Sequence, residues 1–203
     1  MCRQCGLPFP YPGGTGSQSG ALCGPCIADP PRFDMARSPL LYDDASRPLV
    51  LGFKHGGRRD MIAQFARWMA MAGRDCLDGA DLIMPVTLHW RRLLARRYNQ
   101  SALLGAALAN LAGLPLDTDT LLRRKPTPSQ AGKAVRARRR NMAGAFHVTD
   151  REAAAGRSVV LVDDVYTTGA TVAACAGVLR RAGAREVRIV TLCRVVRTRD
   201  ATI

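Results

Sequence analysis

Residues 158–171 read SVVLVDDVYTTGAT. A β-branched, apolar run bounded upstream by Gly156 and downstream by a Thr/Gly loop reads as a buried strand, SVVLVDD, with Asp163 and Asp164 at its carboxyl end. The loop VYTTGAT then leads into ATVAACAGVLRRAG, a helix closed by Gly183. The first turn of a helix has backbone N–H groups without intrahelical partners, and the helix dipole lies behind them, which suits a phosphate. Thr167, Thr168 and Thr171 can add hydroxyl donors, Ala170 opens the helix, and Gly169 clears the approach and tolerates a positive φ. Two carboxylates just upstream would repel a bare anion but accept hydrogen bonds from sugar hydroxyls. The stretch therefore suits a sugar phosphate.

Working outward, RDMIAQFARWMAMAGRDC (59–76) has helical apolar spacing, LIMPV (82–86) is a short buried strand, and Asn99 or Ser101 caps a helix through about 112 that Gly113 ends. EVRIVTLC (186–193) gives another strand. Apolar strands separated by helices predict an α/β fold with a Rossmann-like parallel sheet covered on both faces, with ligands bound beyond the strands' carboxyl ends.

Cys2, Cys5, Cys23 and Cys26 stand apart from this pattern as C-x2-C, 17 residues, C-x2-C, the spacing of a four-thiolate zinc site. The intervening loop is rich in Pro and Gly and cannot build a core, so metal would fold it. Four cysteines leave no open coordination position, which makes the zinc structural. Cys76, Cys175 and Cys193 sit in apolar contexts and read as small buried hydrophobes. The proline pair in ADPPRF (28–33) stiffens a linker, giving an expected division into a zinc ribbon at 1–30 and a main domain at 31–203.

The chain has 203 residues, a formal net charge of +14 and 47% hydrophobic residues, which is a globular balance. No segment reads as a membrane span and no signal peptide is visible, so a cytoplasmic location is expected. Residues 91–140 hold twelve Lys or Arg and two Asp, a net of +10. Such a segment attracts phosphates of a small ligand or of a nucleic acid, or is simply a solvated basic surface. No G-x4-G-K-[ST] occurs, which excludes an ATP-driven motor within this chain.

VVLVDDVYTTGAT resembles the phosphoribosyl pyrophosphate motif of type I phosphoribosyltransferases. The resemblance implies that Asp163 and Asp164 hold ribose hydroxyls at the catalytic centre and that Thr167 to Thr171 hold the 5-phosphate. The cysteine ribbon, MPVTLHWRRLLARRYNQ, RRKPTPSQ and RRRNMAGAF together resemble the ComF family of competence proteins over nearly the whole chain. Thr87 replaces the second proline of the family's Pro-Val-Pro, and Arg97-Tyr98 replaces Gly-Phe, while Asn99 and Gln100 are retained. The loop from Thr87 to Trp90 corresponds to the pyrophosphate loop. Residues 123–146 correspond to a flexible hood, with Gln130, Arg136, Arg140, Asn141 and Phe146 matching the pattern. Lys54 matches a lysine near the site, and is also readable as a solvated lysine near a helix end.

Two functions follow. One is an active, magnesium-dependent phosphoribosyltransferase of nucleotide or base salvage. The other is a competence factor in DNA uptake that binds phosphoribosyl pyrophosphate and single-stranded DNA, with a helicase or motor as a separate partner. The second is the preferred expectation, with transferase turnover left open.

Overall fold

A computed structural model of the chain describes residues 1–9, 20–55, 59–89, 93–94, 98–125, 142 and 144–196. Most of the hood, including Gln130, Arg136, Arg140 and Asn141, lies outside the described residues, as do Trp90 and Arg97.

Six elements precede the first central strand. They are α1 (Gly24–Ala28), β1 (Met35–Arg37), β2 (Leu40–Leu41), α2 (Arg47–His55) and a helical pair, α3 (Ile62–Ala72) with α4 (Arg74–Leu77). Then come β3 (Leu82–Pro85), α5 (Gln100–Ala112), a hairpin of β4 (Leu121–Arg123) and β5 (Phe146–Val148), β6 (Ser158–Tyr166), α6 (Ala170–Arg181) and β7 (Glu186–Arg194). The sheet runs β1-β7-β6-β3, all pairs parallel, with β2 also paired to β7.

Alternation along the central strands explains their unbroken apolar sequence. Val159 and Leu161 of β6 join one buried cluster with Val172 and Leu179 of α6. Val160 and Val162 point the other way, into a cluster with Phe65 and Met69 of α3 and Leu104 and Leu108 of α5. Both faces are buried, so every position must be apolar. Each such side chain contributes roughly 1.5–3 kcal/mol of transfer free energy.

Several elements differ from their sequence reading. The helix expected over 59–76 breaks at Gly73, whose N–H bonds to Met69 O at 2.8 Å. A Cβ there would lie 2.8 Å from both Met69 O and Val190 Cγ2. The backbone thus packs directly against β7, a tertiary demand that helical spacing does not report. Strand β6 runs to Tyr166, two residues past the acids, because Val165 and Tyr166 pair with Cys193 and Arg194 of β7. The short β1, β2 and β4 carry too few residues to show a period. The capping alternative resolves to Asn99, whose side chain accepts from Ser101 N at 3.1 Å.

The cysteine segment packs against the sheet. Cys2, Cys5, Cys23 and Cys26 share a buried cluster with Phe33 and with Val187 of β7, and Ala36 N of β1 donates to Gln4 O at 2.7 Å. Among the described residues no helix is long and apolar enough to cross a membrane.

Candidate functional site

Parallel pairing brings the carboxyl ends of β3 and β6 to one edge, where α2 and α5 also meet. Asp163 and Asp164 stand there, each engaged by a different helix. Ser101 Oγ of α5 donates to Asp163 Oδ1 at 2.9 Å, and the Asp164 amide donates to the same oxygen at 2.9 Å. Lys54 Nζ of α2 lies 3.0 Å from Asp164 Oδ2, both side chains being largely buried. Burial, and then the neighbouring Asp164 charge, push Asp163 up to about 7, against the hydrogen bonds from Ser101 and the Asp164 amide and the charge of Lys54. Lys54 also offsets the repulsion two carboxylates would otherwise exert on an approaching phosphate.

The three residues before and within the start of α5 hold this edge together. Asn99 Nδ2 donates to Val86 O at 3.2 Å, just past β3. Gln100 Nε2 donates to Lys54 O at 3.1 Å, and Tyr98 OH to Phe53 O at 3.0 Å. One short segment therefore ties the end of β3, the end of α2 and, through Ser101, the acid pair. Thr87 follows Val86, whose N–H bonds to Val162 O at 2.8 Å, and so sits across from the acids at the same edge.

Beyond Tyr166 the chain turns through Thr167, Thr168 and Gly169 into α6. Gly169 has φ +70°, and a Cβ there would lie 2.4 Å from the Tyr166 hydroxyl. Only glycine fits that position, because the left-handed backbone and the aromatic ring both exclude a side chain. Thr168 Oγ1 accepts from Ala170 N at 3.4 Å, and Thr171 Oγ1 contacts Met142 Sδ at 3.8 Å. Tyr166 is itself clamped: the Arg194 guanidinium lies 4.7 Å from its ring centroid, and Phe33 meets it edge-on.

The four N-terminal cysteines converge, with their Sγ atoms all within 4.8 Å of one another. Four sulfurs at ~2.3 Å from one tetrahedral ion would stand roughly 3.8 Å apart, and Cys5 Sγ to Cys23 Sγ is 3.5 Å. Cys23 caps the short α1, its N–H donating to Cys2 Sγ at 3.3 Å. The all-sulfur, buried, tetrahedrally spaced set fits a soft or borderline divalent ion. Arg194 reaches this cluster from β7, donating to Cys5 O and, at 3.5 Å, to Cys5 Sγ.

Comparison with known proteins gives the family. The phosphoribosyl transferase domain profile matches residues 99–202. A DNA utilization protein YhgH of Salmonella typhimurium is 36% identical over 201 residues, covering 97% of this chain and 85% of that protein. Competence protein F of Haemophilus influenzae is 31% identical over 202 residues, covering 95% and 88%. The chain belongs to the ComF family. Competence protein ComFC of Bacillus subtilis, 27% identical, covers 84% of this ComF-family chain and 68% of its own length. Among solved structures, the allosteric regulatory enzyme of purine biosynthesis is 21% identical with a TM-score of 0.44, covering 70% of this chain and 30% of that one.

In this ComF-family chain the structure brings together Asp163, Asp164, Lys54 and Thr87, with the loop from Thr167 to Thr171 next along the strand. The four cysteines form a second, separate constellation. Ser101 and Arg194 escaped the sequence reading. Ser101 was visible only as one of two capping choices. A basic residue ending the apolar run of β7 was a signal for Arg194, since charges at buried strand ends need partners.

Proposed function

We propose that this chain binds phosphoribosyl pyrophosphate with magnesium at the carboxyl edge of β6, and binds single-stranded DNA, acting in DNA uptake during natural competence. The single observation that carries the reading is the acid pair of β6 held beside a glycine-turned loop at the start of α6, with Lys54 balancing its charge. In this reading Asp163 and Asp164 accept hydrogen bonds from the ribose hydroxyls. Thr167, Thr168, Gly169, Ala170 and Thr171 take the 5-phosphate, and the turn at Thr87 takes the pyrophosphate. Magnesium, a hard cation held through phosphate and carboxylate oxygens, would neutralise the diphosphate charge. The names of the relatives, competence protein F among them, and the +10 charge of residues 91–140 support the DNA role.

The cysteine cluster is proposed to hold structural zinc, with residues 1–30 as its module and 31–203 as the phosphoribosyltransferase-like domain. The proposed setting is the cytoplasm, where a separate helicase or motor would supply the work of strand transport.

Calorimetry with phosphoribosyl pyrophosphate and magnesium tests the first ligand: heat is expected from the parent and a large loss from Asp164→Asn. Single-stranded DNA binding should weaken steeply with salt and on substitution of Arg138 and Arg139, and change little at Asp164. The match to the phosphoribosyl transferase domain family favours a second reading, an active transferase of base or nucleotide salvage with no nucleic-acid role. Release of pyrophosphate with some base or amine, abolished by Asp164→Asn, together with no DNA binding, would select it.

A further inference from the structure

A cleft of about 580 Å³ opens beside the phosphate loop, between the N-terminal cysteine segment and the flank of α6. We propose that this cleft takes a nucleoside esterified to the phosphate held at Thr167–Thr171, so that the site accepts the 3′-terminal nucleotide of a single strand and not only a free sugar phosphate. The inference rests on the sugar-phosphate reading of the acid pair and extends it.

Continuity is the first argument. Thr167, Thr168 and Gly169 line the cleft as well as forming the proposed phosphate loop, while Asp163 and Asp164 do not line it. A group leaving the phosphate on the side away from the pentose therefore has somewhere to go. Cys5, Cys23 and Cys26 of the cysteine cluster also line the cleft, so part of its volume adjoins that cluster, and the whole falls within the ~300–1,000 Å³ of sites that take small organic molecules.

Shape and charge are the second. The α6 positions in the lining are the small residues Ala173, Ala174 and Gly177, and the Arg32 side chain lies against Gly177, its Cδ 3.1 Å from where a Cβ would stand. Pro30, Pro31 and the partly exposed Tyr166 also line the cleft and offer surface on which a base can pack. Arg32, Arg181 and Arg194 are the cationic residues of the lining against a single acid, Asp29. Arg32 and Arg181 are exposed and can meet a phosphodiester chain. Arg194 is 6% exposed, and its Nε has no hydrogen-bond partner among the described residues. A buried donor left unpaired is costly, and an anionic or carbonyl-bearing ligand in the cleft would satisfy it.

The test compares two phosphodiesters of equal charge. Uridine 5′-(methyl phosphate) offers the pentose and the diester alone, whereas uridylyl-(3′→5′)-uridine adds an upstream nucleoside. The dinucleotide is expected to bind the full-length protein about tenfold tighter, a gain in line with stacking of one base. Ala173→Phe should close that gap while leaving the methyl ester's affinity unchanged. The double variant Arg32→Ala, Arg181→Ala, with both positions exposed, should narrow it without disturbing the fold. Thymidylyl-(3′→5′)-thymidine, measured against thymidine 5′-(methyl phosphate), separates the sources: a gap as large as that of the ribo pair admits DNA ends, and no gap assigns the cleft to RNA-type ends. Equal affinity of the parent for dinucleotide and methyl ester would overturn the cleft assignment alone. No binding of either, nor of phosphoribosyl pyrophosphate, would bring down the underlying sugar-phosphate reading as well.

Discussion

In the proposed reading Asp163 accepts a hydrogen bond from a ribose hydroxyl, which its ionised form does best. Ser101 and the Asp164 amide already donate to Oδ1, which leaves Oδ2 for the ribose hydroxyl in that reading. Since burial and Asp164 raise this carboxyl to about 7, affinity for phosphoribosyl pyrophosphate should rise with pH through that value. Below it the loss approaches tenfold per pH unit. The phosphate's own ionisation near pH ~6 affects the parent and Asp163→Asn alike, so calorimetry on both isolates the aspartate's share. Stability takes the opposite sign. A carboxyl whose pKa is higher folded than unfolded contributes stability below the unfolded value of ~3.9, and that contribution is lost as pH rises through the folded value. Asp163→Asn should therefore melt above the parent at pH ~8, with the gap shrinking toward pH ~5. Gly169→Ala, at φ +70° and 2.4 Å from the Tyr166 hydroxyl, should cost at least about 1–2 kcal/mol. For a chain of this size that is a fall of several degrees in Tm. Sugar-phosphate binding should be lost with it, because the loop cannot turn without displacing Tyr166.

At the scale of elements, the start of α5 does more than begin a helix. Asn99 caps it and also donates to Val86 O, while Gln100 and Ser101 reach α2 and β6. Asn99→Ala should cost about 1 kcal/mol for the cap alone. The freed Val86 carbonyl adds to that, so urea unfolding should show a lower midpoint with an unchanged slope. Ser101→Ala should leave stability closer to the parent but change the pH profile of ligand binding, because Asp163 loses a donor that favours its charged form.

In the whole molecule the cysteine cluster and the sheet share one buried core, joined by Arg194 between Cys5 and Tyr166. Metal removal should therefore be felt across the fold. A strong chelator, or Cys23→Ser, is expected to release one equivalent of divalent ion and to lower a single cooperative Tm, as metal-binding free energy is folding free energy. Two separate transitions, with the upper one unmoved, would mean that the ribbon and the sheet fold independently.

The sequence by itself determined the strands β6 and β7, the helix α6, the cysteine spacing and the run from Asp163 to Thr171. Each is a local pattern: an apolar run, a turn chemistry, a ligand interval. It also placed Thr87 and Lys54 near the site, though by resemblance and not by periodicity. Only the tertiary structure decided that Lys54 pairs with Asp164, that Ser101 engages Asp163, and that Arg194 reaches Cys5. These contacts join residues 62 to 189 positions apart, and no local period encodes a partner at that distance. The break at Gly73 and the short strands β1 and β2 were hidden for the same reason, since packing against β7, and not propensity, creates them.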